Sequence, residues 1–330
     1  MTNAILVTGG AGYIGSHAAK ALARAGYEPV SYDNLSRGHR EAVRWGPLVD
    51  GDLADRALLV ATLRRYKIVA VMHFAAFAYV GESVREPELY FRNNVANSLV
   101  LLEAMGEVGV GEIVFSSTCA TYGLPETMPI AEDTPQRPVN PYGESKLMIE
   151  RMLHWLGGAR GLRYAALRYF NAAGADPEGE IGEGHEPETH LIPLVLLAAL
   201  RRIEAVDIFG TDYPTPDGTA IRDYIHVHDL AAAHVLALDR LRQGGASLAL
   251  NLGTGRGYSV REVIEMAERV TGRSIARREA ARRPGDPPVL VANASRARAV
   301  LGWTPMVSGL DDILATAWAW HARSNAPRSA

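Results

Sequence analysis

The feature that most constrains this chain is the alternation of short apolar runs with amphipathic stretches through its first half. Ala4–Val7, Pro29–Tyr32, Ile68–Phe74, Glu112–Phe115 and Tyr164–Leu167 read as buried strands rich in Val, Ile and Leu. Between them, Ile14–Ala25, Arg56–Arg65, Leu89–Val108 and Tyr142–Leu156 carry helical patterns. That rhythm demands βαβ units with right-handed crossovers, so the expected fold is α/β, a doubly wound parallel sheet covered on both faces. After Asn171 the texture changes. Gly174–His190 reads as a long loop, Leu191–Ile203, His228–Leu241, Ser259–Thr271 and Leu310–Ala322 as helices, and Leu248–Leu252 as a strand. Tyr213–Gly218 and Arg282–Pro288 are irregular. The expected division is residues 1–171 as one unit and 172–330 mainly as a smaller C-terminal α/β lobe, with some segments returning to the first unit.

Composition narrows the function. With 48% hydrophobic residues the chain of 330 residues holds material for a sizeable core. Its net charge of −3 comes without blocks of like charge, so no basic face for nucleic acid is expected. A single cysteine, Cys119, excludes a disulfide framework or a multi-thiolate metal site. The run Met1–Thr8 lacks a basic region and breaks at Gly9-Gly10, so no signal peptide is expected, and Leu194–Leu200 is too short to span a bilayer. A cytoplasmic enzyme without membrane partners is the expectation.

The segment Val7-Thr8-Gly9-Gly10-Ala11-Gly12-Tyr13-Ile14-Gly15-Ser16-His17 joins the first strand to the first helix. Two registers fit, Gly10-x-Gly12-x-x-Gly15 and Gly9-x-x-Gly12-x-x-Gly15. Glycines there permit a tight turn and close approach of backbone to a pyrophosphate, which the helix N-terminus attracts. Asp33 ends the second strand about 20 residues on, where a carboxylate accepts from ribose hydroxyls and repels a 2′-phosphate. A Rossmann-type sheet binding NAD rather than NADP follows. The second glycine cluster, Gly253–Gly257, has no such acidic partner and reads as a structural turn.

Pro141 suits a helix start, which puts Tyr142 and Lys146 at i and i+4 on one face. A tyrosine is a poor base at its ordinary pKa of about 10, and a neighbouring ammonium favours its ionised form. Only Lys20, Lys67 and Lys146 are lysines among 34 basic residues, so a lysine at this place stands out. Tyr-x-x-x-Lys alone is common by chance; the dinucleotide motif upstream gives it weight. Ser116-Ser117-Thr118-Cys119 leaves its strand at the end where ligands of such sheets sit, though hydroxyls there also serve as strand-end caps.

Together with His73-Phe74-Ala75-Ala76, Arg168-Tyr169-Phe170-Asn171, Tyr213–Thr219 and Ile221–Val227, these segments resemble the extended short-chain dehydrogenase/reductases, and among them the UDP-glucose 4-epimerases, over nearly the whole chain. The resemblance implies a reversible C4 epimerisation of a UDP-sugar through a 4-keto sugar, with NAD as cofactor. It gives Tyr142, Lys146 and Thr118 the catalytic roles. Gly9, Gly12, Tyr13, Ile14, Asp33, Asn34, Asp52, Leu53, Phe74, Ala75, Asn93 and Tyr169, with Tyr142 and Lys146, fall at cofactor positions. Ala78 stands where a better-known bacterial member has a lysine near the cofactor. Thr118, Asn171, His190, Leu191, Phe209, Arg222, Arg283, Asp286 and Leu290 fall at nucleotide-sugar positions, so residues 172–330 would mainly bind the nucleotide sugar. Arg222 and Arg283 would clamp the diphosphate and Asp286 would accept from ribose, while a surface salt bridge is the plain alternative for either arginine. His190 replaces a usual asparagine.

By the same resemblance, Leu290 falls at a position that partly controls bulk at C2, which leaves UDP-galactose/UDP-glucose, UDP-N-acetylhexosamines and UDP-xylose/UDP-arabinose as candidates. A nucleotide-sugar 4,6-dehydratase is the nearest rival, but Cys119-Ala120 replace the Asp-Glu which that chemistry needs. A non-catalytic NAD sensor is the rival from another class, and Tyr142 with Lys146 argues against it. The resemblance also implies a homodimer paired through Leu89–Val108 and Tyr142–Leu156. Glu183–His190 imitates a metal-ligand set, yet Pro187 breaks the helix that such spacing usually needs, so no metal is expected. His226 and His228 are expected on one strand face as satisfied polar residues.

Overall fold

The computed structural model describes residues 3–283, 285–307 and 309–323. Met1 and Thr2 of the N-terminal run and Pro284 of the irregular segment Arg282–Pro288 lie outside the described residues. In chain order the strands are β1 (Ala4–Thr8), β2 (Glu28–Asp33), β3 (Leu48–Asp50), β4 (Ala70–His73), β5 (Glu112–Thr118), β6 (Arg163–Tyr169), β7 (Asn171–Ala173), β8 (Val206–Phe209), β9 (Ile221–His226), β10 (Leu248–Leu252), β11 (Gly257–Ser259), β12 (Arg277–Ala280) and β13 (Val289–Leu290).

Seven of them make one parallel sheet in the order β10-β6-β5-β4-β1-β2-β3. Its central strands are buried along their whole length, which is why they read as continuous apolar runs rather than alternating ones. One face packs Ala18 and Leu22 of helix Tyr13–Arg24 and Leu230, Val235 and Leu238 of helix Val227–Arg242. The other packs Leu59 and Leu63 of helix Arg56–Arg65, Leu101 and Met105 of helix Asn97–Val108, and Ile149 and Leu153 of helix Pro141–Arg160. The strand order reverses between β1 and β4, so their carboxyl ends open the crevice where ligands of such sheets bind. β10 returns to the sheet's edge from the C-terminal half, beside β6.

The remaining strands build a smaller structure. β9 pairs along its first half with β11, antiparallel, and β13, parallel, and along its second half with β7. β8 and β12 form a separate parallel pair. A third core of Ile192, Val195, Leu196, Val263, Ile264, Ile313 and Leu314 joins helices Leu191–Ala199, Val260–Thr271 and Leu310–Arg323. No helix among the described residues is long and apolar enough to cross a membrane.

Two local expectations need correction. Leu89–Val108 is not one continuous helix: a short helix, Pro87–Tyr90, is followed by a wide π-type turn over Phe91–Ala96 before Asn97–Val108 begins. The widening turns Asn94 fully inward, where its amide accepts from Phe77 N and donates to Phe77 O and Ser145 Oγ. His226 and His228 do not share a strand face, because β9 ends at His226 and His228 already lies in the next helix. His226 caps that helix, its Nδ1 accepting from His228 N at 3.0 Å, while its Nε2 lies 3.0 Å from Thr316 Oγ1.

One buried ion pair ties helix Pro141–Arg160 to the sheet. Arg168 of β6 donates to Glu150 with Nη2···Oε2 at 2.6 Å, and Ser117 of β5 donates to the same carboxylate at 2.5 Å. Both charged side chains are more than nine-tenths buried. Losing one partner of such a pair strands the other in a low-dielectric interior. Arg168→Met is therefore expected to lower unfolding stability by about 3–5 kcal/mol in urea titration, and a loss under about 1 kcal/mol would contradict this account.

Candidate active site

The glycine turn lies at the switch point. Gly9 has φ +72°, and a Cβ on it would lie 2.6 Å from Ala75 N, so only glycine lets the turn pass β4 so closely. A Cβ on Gly15 would come within 2.0 Å of Gly9 O, which closes the helix onto the turn. Gly12 is the N-cap of helix Tyr13–Arg24, with no side-chain cap, and leaves the helix's first N–H groups free for an anion. Gly10 is also tightly placed, since a Cβ on it would lie 2.5 Å from Ser31 Oγ.

Asp33 ends β2 beside this turn. Its carboxylate accepts from Ala11 N at 3.0 Å and Leu35 N at 2.9 Å, and burial raises its pKa. Asn34 donates to Asp52 at 2.7 Å, and Asp52 caps the following turn through Ala54 N. Leu53, Phe74 and Ala75 follow the carboxyl ends of β3 and β4, with Leu53 buried and Phe74, Ala75 and Asn93 partly covered. Tyr13 donates to Gly174 O at 2.6 Å, Ile14 packs on the core, and Ala78 is exposed. The cradle a Cβ would fill, the free N–H groups and the carboxylate at the end of β2 together fit an adenine dinucleotide.

Tyr142, Lys146 and Thr118 converge at the carboxyl end of β5. Asn140 Oδ1 accepts from Gly143 N at 2.8 Å, and Pro141 occupies the first turn. A Cβ on Gly143 would lie 2.5 Å from Ala120 O, so this glycine lets the helix start press against the segment just past Thr118. Thr118 is the neighbour that favours the ionised Tyr142 hydroxyl, whereas burial, the larger effect, raises its pKa well above the ordinary value. Lys146 donates to Ser116 O at 2.8 Å and lies 6.0 Å from the Tyr142 ring centre. Burial pushes its ammonium down to about 7, against the pull of Glu150. Tyr169 meets Ser116 Oγ at 2.7 Å, and burial pushes its hydroxyl up to about 12. The Cys119 thiol, buried next to Thr118, is also pushed up to about 12.

The nucleotide-sugar residues gather around β9. Asn171 donates to Asp223 O at 3.2 Å, and Leu290 of β13 stands opposite Arg222 in register. Leu290 packs against the cluster of Cys119, Tyr122, Ile130, Phe170 and Ala292, of which Cys119 follows Thr118 in the chain. Arg222 and Asp286 pair with each other at 2.5 Å, and Arg283 lies over the Phe209 ring at 4.0 Å from its centre. Arg222 thus holds the carboxylate expected on the ribose, while Arg283 stacks on Phe209. The Gly253–Gly257 turn serves structure, as Thr254 N, Gly255 N and Ala292 N all donate to the Asp223 carboxylate. Leu191 begins its helix with His190 as N-cap residue.

Three contributors escaped the sequence reading. Glu150, four residues after Lys146, lies on the same helix face, and that spacing was the available signal. Ser116 receives the Lys146 ammonium, although the segment was singled out for Thr118. Arg37 lies over Phe77 and Tyr79 and pairs with Glu82 at 2.7 Å, closing the rim near Ala78; nothing in its spacing marks it.

Comparison with known proteins agrees with this geometry. Residues 5–253 match the model of the NAD dependent epimerase/dehydratase family. The UDP-glucose 4-epimerase of Rhizobium meliloti (strain 1021) is 55% identical over 323 residues, 98% of each chain. A crystal structure of UDP-glucose 4-epimerase from Brucella ovis in complex with NAD superposes with a TM-score of 0.94 at 56% identity, covering 96% of this chain and 98% of that one. The Bifidobacterium longum UDP-glucose 4-epimerase, in complex with NAD+ and UDP, gives 0.93 at 39% identity, with 97% and 98% covered. The chain belongs to the NAD dependent epimerase/dehydratase family and, within it, to the UDP-glucose 4-epimerases.

Proposed function

We propose that this chain interconverts UDP-galactose and UDP-glucose at C4, and that Tyr142 is its proton-transfer residue. The observation that carries the proposal is the meeting of Tyr142, Thr118 and Lys146 at the carboxyl end of β5, beside the glycine turn of β1. Bound NAD supplies the acceptor and donor of the C4 hydride. The Tyr142 oxygen takes the proton of the C4 hydroxyl as the sugar is oxidised and gives it back to the 4-keto oxygen after the sugar has turned. Thr118 hydrogen-bonds that same oxygen, which keeps it within reach of Tyr142 in both orientations. Lys146 holds the nicotinamide ribose and lies 6.0 Å from the Tyr142 ring centre, where an ammonium favours the ionised hydroxyl.

The site favours this chemistry over dehydration. Elimination of water needs a second acid–base pair next to Thr118, and this chain has a buried thiol pushed up to about 12 followed by an alanine. For the sugar, Leu290 forms an apolar wall against Cys119 and Phe170, without a donor for an acetamido group. That supports a hexose over an N-acetylhexosamine. Asn171, Leu191, Phe209, Arg222, Arg283 and Asp286 are proposed to hold the UDP part, with Arg222 leaving Asp286 to meet the diphosphate. The division at residue 171 then separates a cofactor unit from a nucleotide-sugar lobe, apart from β10, helix Val227–Arg242 and Trp303, which return to the large sheet.

We also propose a homodimer. Trp155 is 74% exposed and lines a shallow apolar hollow with Val95, Leu99, Met148, Met152 and Leu156 on the outer face of the two helices. A patch this apolar on a surface is suited to a second copy.

Tyr142→Phe is expected to cut conversion of UDP-galactose to UDP-glucose by about 10²–10⁴-fold while UDP binding, read by calorimetry, stays within the wild-type range. A variant retaining a third of the wild-type rate would assign the proton to another group. Trp155→Glu should convert a dimeric mass in light scattering into a monomeric one. An unchanged mass, or a wild-type protein that is already monomeric, would contradict the dimer.

A further inference from the structure

The loop before helix Leu191–Ala199 folds four ligand-type side chains onto one point. Glu183, His185, Glu188 and His190 each offer an atom, and these atoms all lie within 4.8 Å of one another. Glu183 Oε1 is 3.0 Å from His185 Nδ1 and 2.9 Å from His190 Nδ1. His190 Nδ1 is also 2.8 Å from Glu188 Oε1, and Glu188 Oε2 lies 4.0 Å from His185 Nδ1. The two carboxylates are nine-tenths or more buried, and no lysine or arginine pairs with either among the described residues.

Hydrogen bonding among the four does not satisfy every contact. One imidazole Nδ1 carries at most one hydrogen, yet His190 Nδ1 faces oxygens of two different carboxylates, so one of those two contacts is left without a hydrogen of its own. Glu188 Oε1 already accepts from Thr189 N and His190 N, each at 2.7 Å, which leaves Oε2 as its open ligand atom. Ligand atoms around a tetrahedral ion with bonds of about 2.0–2.2 Å lie roughly 3.3–3.6 Å apart, and the spacings here bracket that figure. The expectation that Pro187 forbids a metal rested on the need for a helix. Here the loop does the converging, and its backbone is pinned: Trp320 Nε1 donates to Glu183 O at 2.9 Å, and His39 Nε2 lies 2.6 Å from Gly184 O.

We propose that Glu183, His185, Glu188 and His190 bind one divalent transition-metal ion of the zinc class. Two imidazoles with two carboxylates suit that class better than magnesium or calcium, which take oxygen alone. Four protein ligands make a closed, structural site rather than a catalytic one. Its place gives it a task. The Tyr13 ring, at the glycine turn, is centred 6.2 Å from the His185 ring, and Tyr79 lies 5.9 Å from His185 and 6.4 Å from His190. The ion locks the loop that leads into Leu191 against the cofactor side of the crevice.

The test uses untagged full-length protein, dialysed against a chelator, reloaded with zinc chloride and passed through a desalting column before elemental analysis. The expected result is about one zinc per chain in the wild type and at least about tenfold less in a His185→Ala, Glu188→Gln double variant, as a closed four-ligand site requires. Cobalt chloride should give the visible absorption of four-coordinate cobalt in the wild type only. Zinc should raise the melting temperature of the wild type and leave that of the double variant unmoved. Reloaded wild type that holds no zinc overturns the proposal without reference to any variant. So does a folded double variant that binds zinc as well as the wild type, since the ion would then sit elsewhere. If the double variant does not fold, His185→Ala alone carries the same comparison.

Discussion

The buried pair between Arg168 and Glu150 is the constraint on which the active-site geometry depends. Glu150 lies four residues after Lys146 and eight after Tyr142, so all three side chains share one helix face. Pairing with Arg168 on β6 and accepting from Ser117 on β5 sets both the rotation and the height of that helix over the sheet. Desolvating two charges is costly, and a hydrophobic pair of similar volume would hold the helix at least as tightly. A directional, bidentate contact fixes register as well, and register is what a proton-transfer residue needs: Arg168 reaches the carboxylate through Nε and Nη2 and the Tyr122 hydroxyl through Nη1.

The same burial tunes the chemistry. Tyr142 is raised and Lys146 is lowered because each would carry a charge in a dry site. Burial alone disfavours the ionised form of both groups, so the positive nicotinamide ring of a bound dinucleotide would add the charge that favours the phenolate. His73, beneath them, is pushed down to about 3 by burial and so stays neutral, bridging Thr8 at 2.7 Å and Ser98 at 2.8 Å. It braces β4 against β1 at the switch point without adding a charge to the site.

Much of this was legible in the residues. The glycine turn, Asp33 and the Tyr142–Lys146 pair are local patterns whose spacing is the physical requirement itself. What was hidden depends on tertiary placement. The π-type turn at Phe91–Ala96 falls in a stretch without Gly or Pro to mark it, so Leu89–Val108 reads as continuous. Arg222 and Asp286 lie in segments distant along the chain, and their pairing exists only because β13 aligns with β9. The Glu183–His190 cluster is local, yet its convergence comes from a loop path that no periodicity encodes.

The central claim is that oxidation and reduction at C4 happen within one closed site, with Tyr142 exchanging only a proton. The most direct measurement places deuterium at C4 of UDP-galactose and follows it into UDP-glucose during turnover in ordinary water, with no cofactor added. The account predicts that the label stays at C4 through many turnovers. Loss of the label to solvent would contradict it, because the hydrogen at C4 would then be moving as a proton through a group in contact with water.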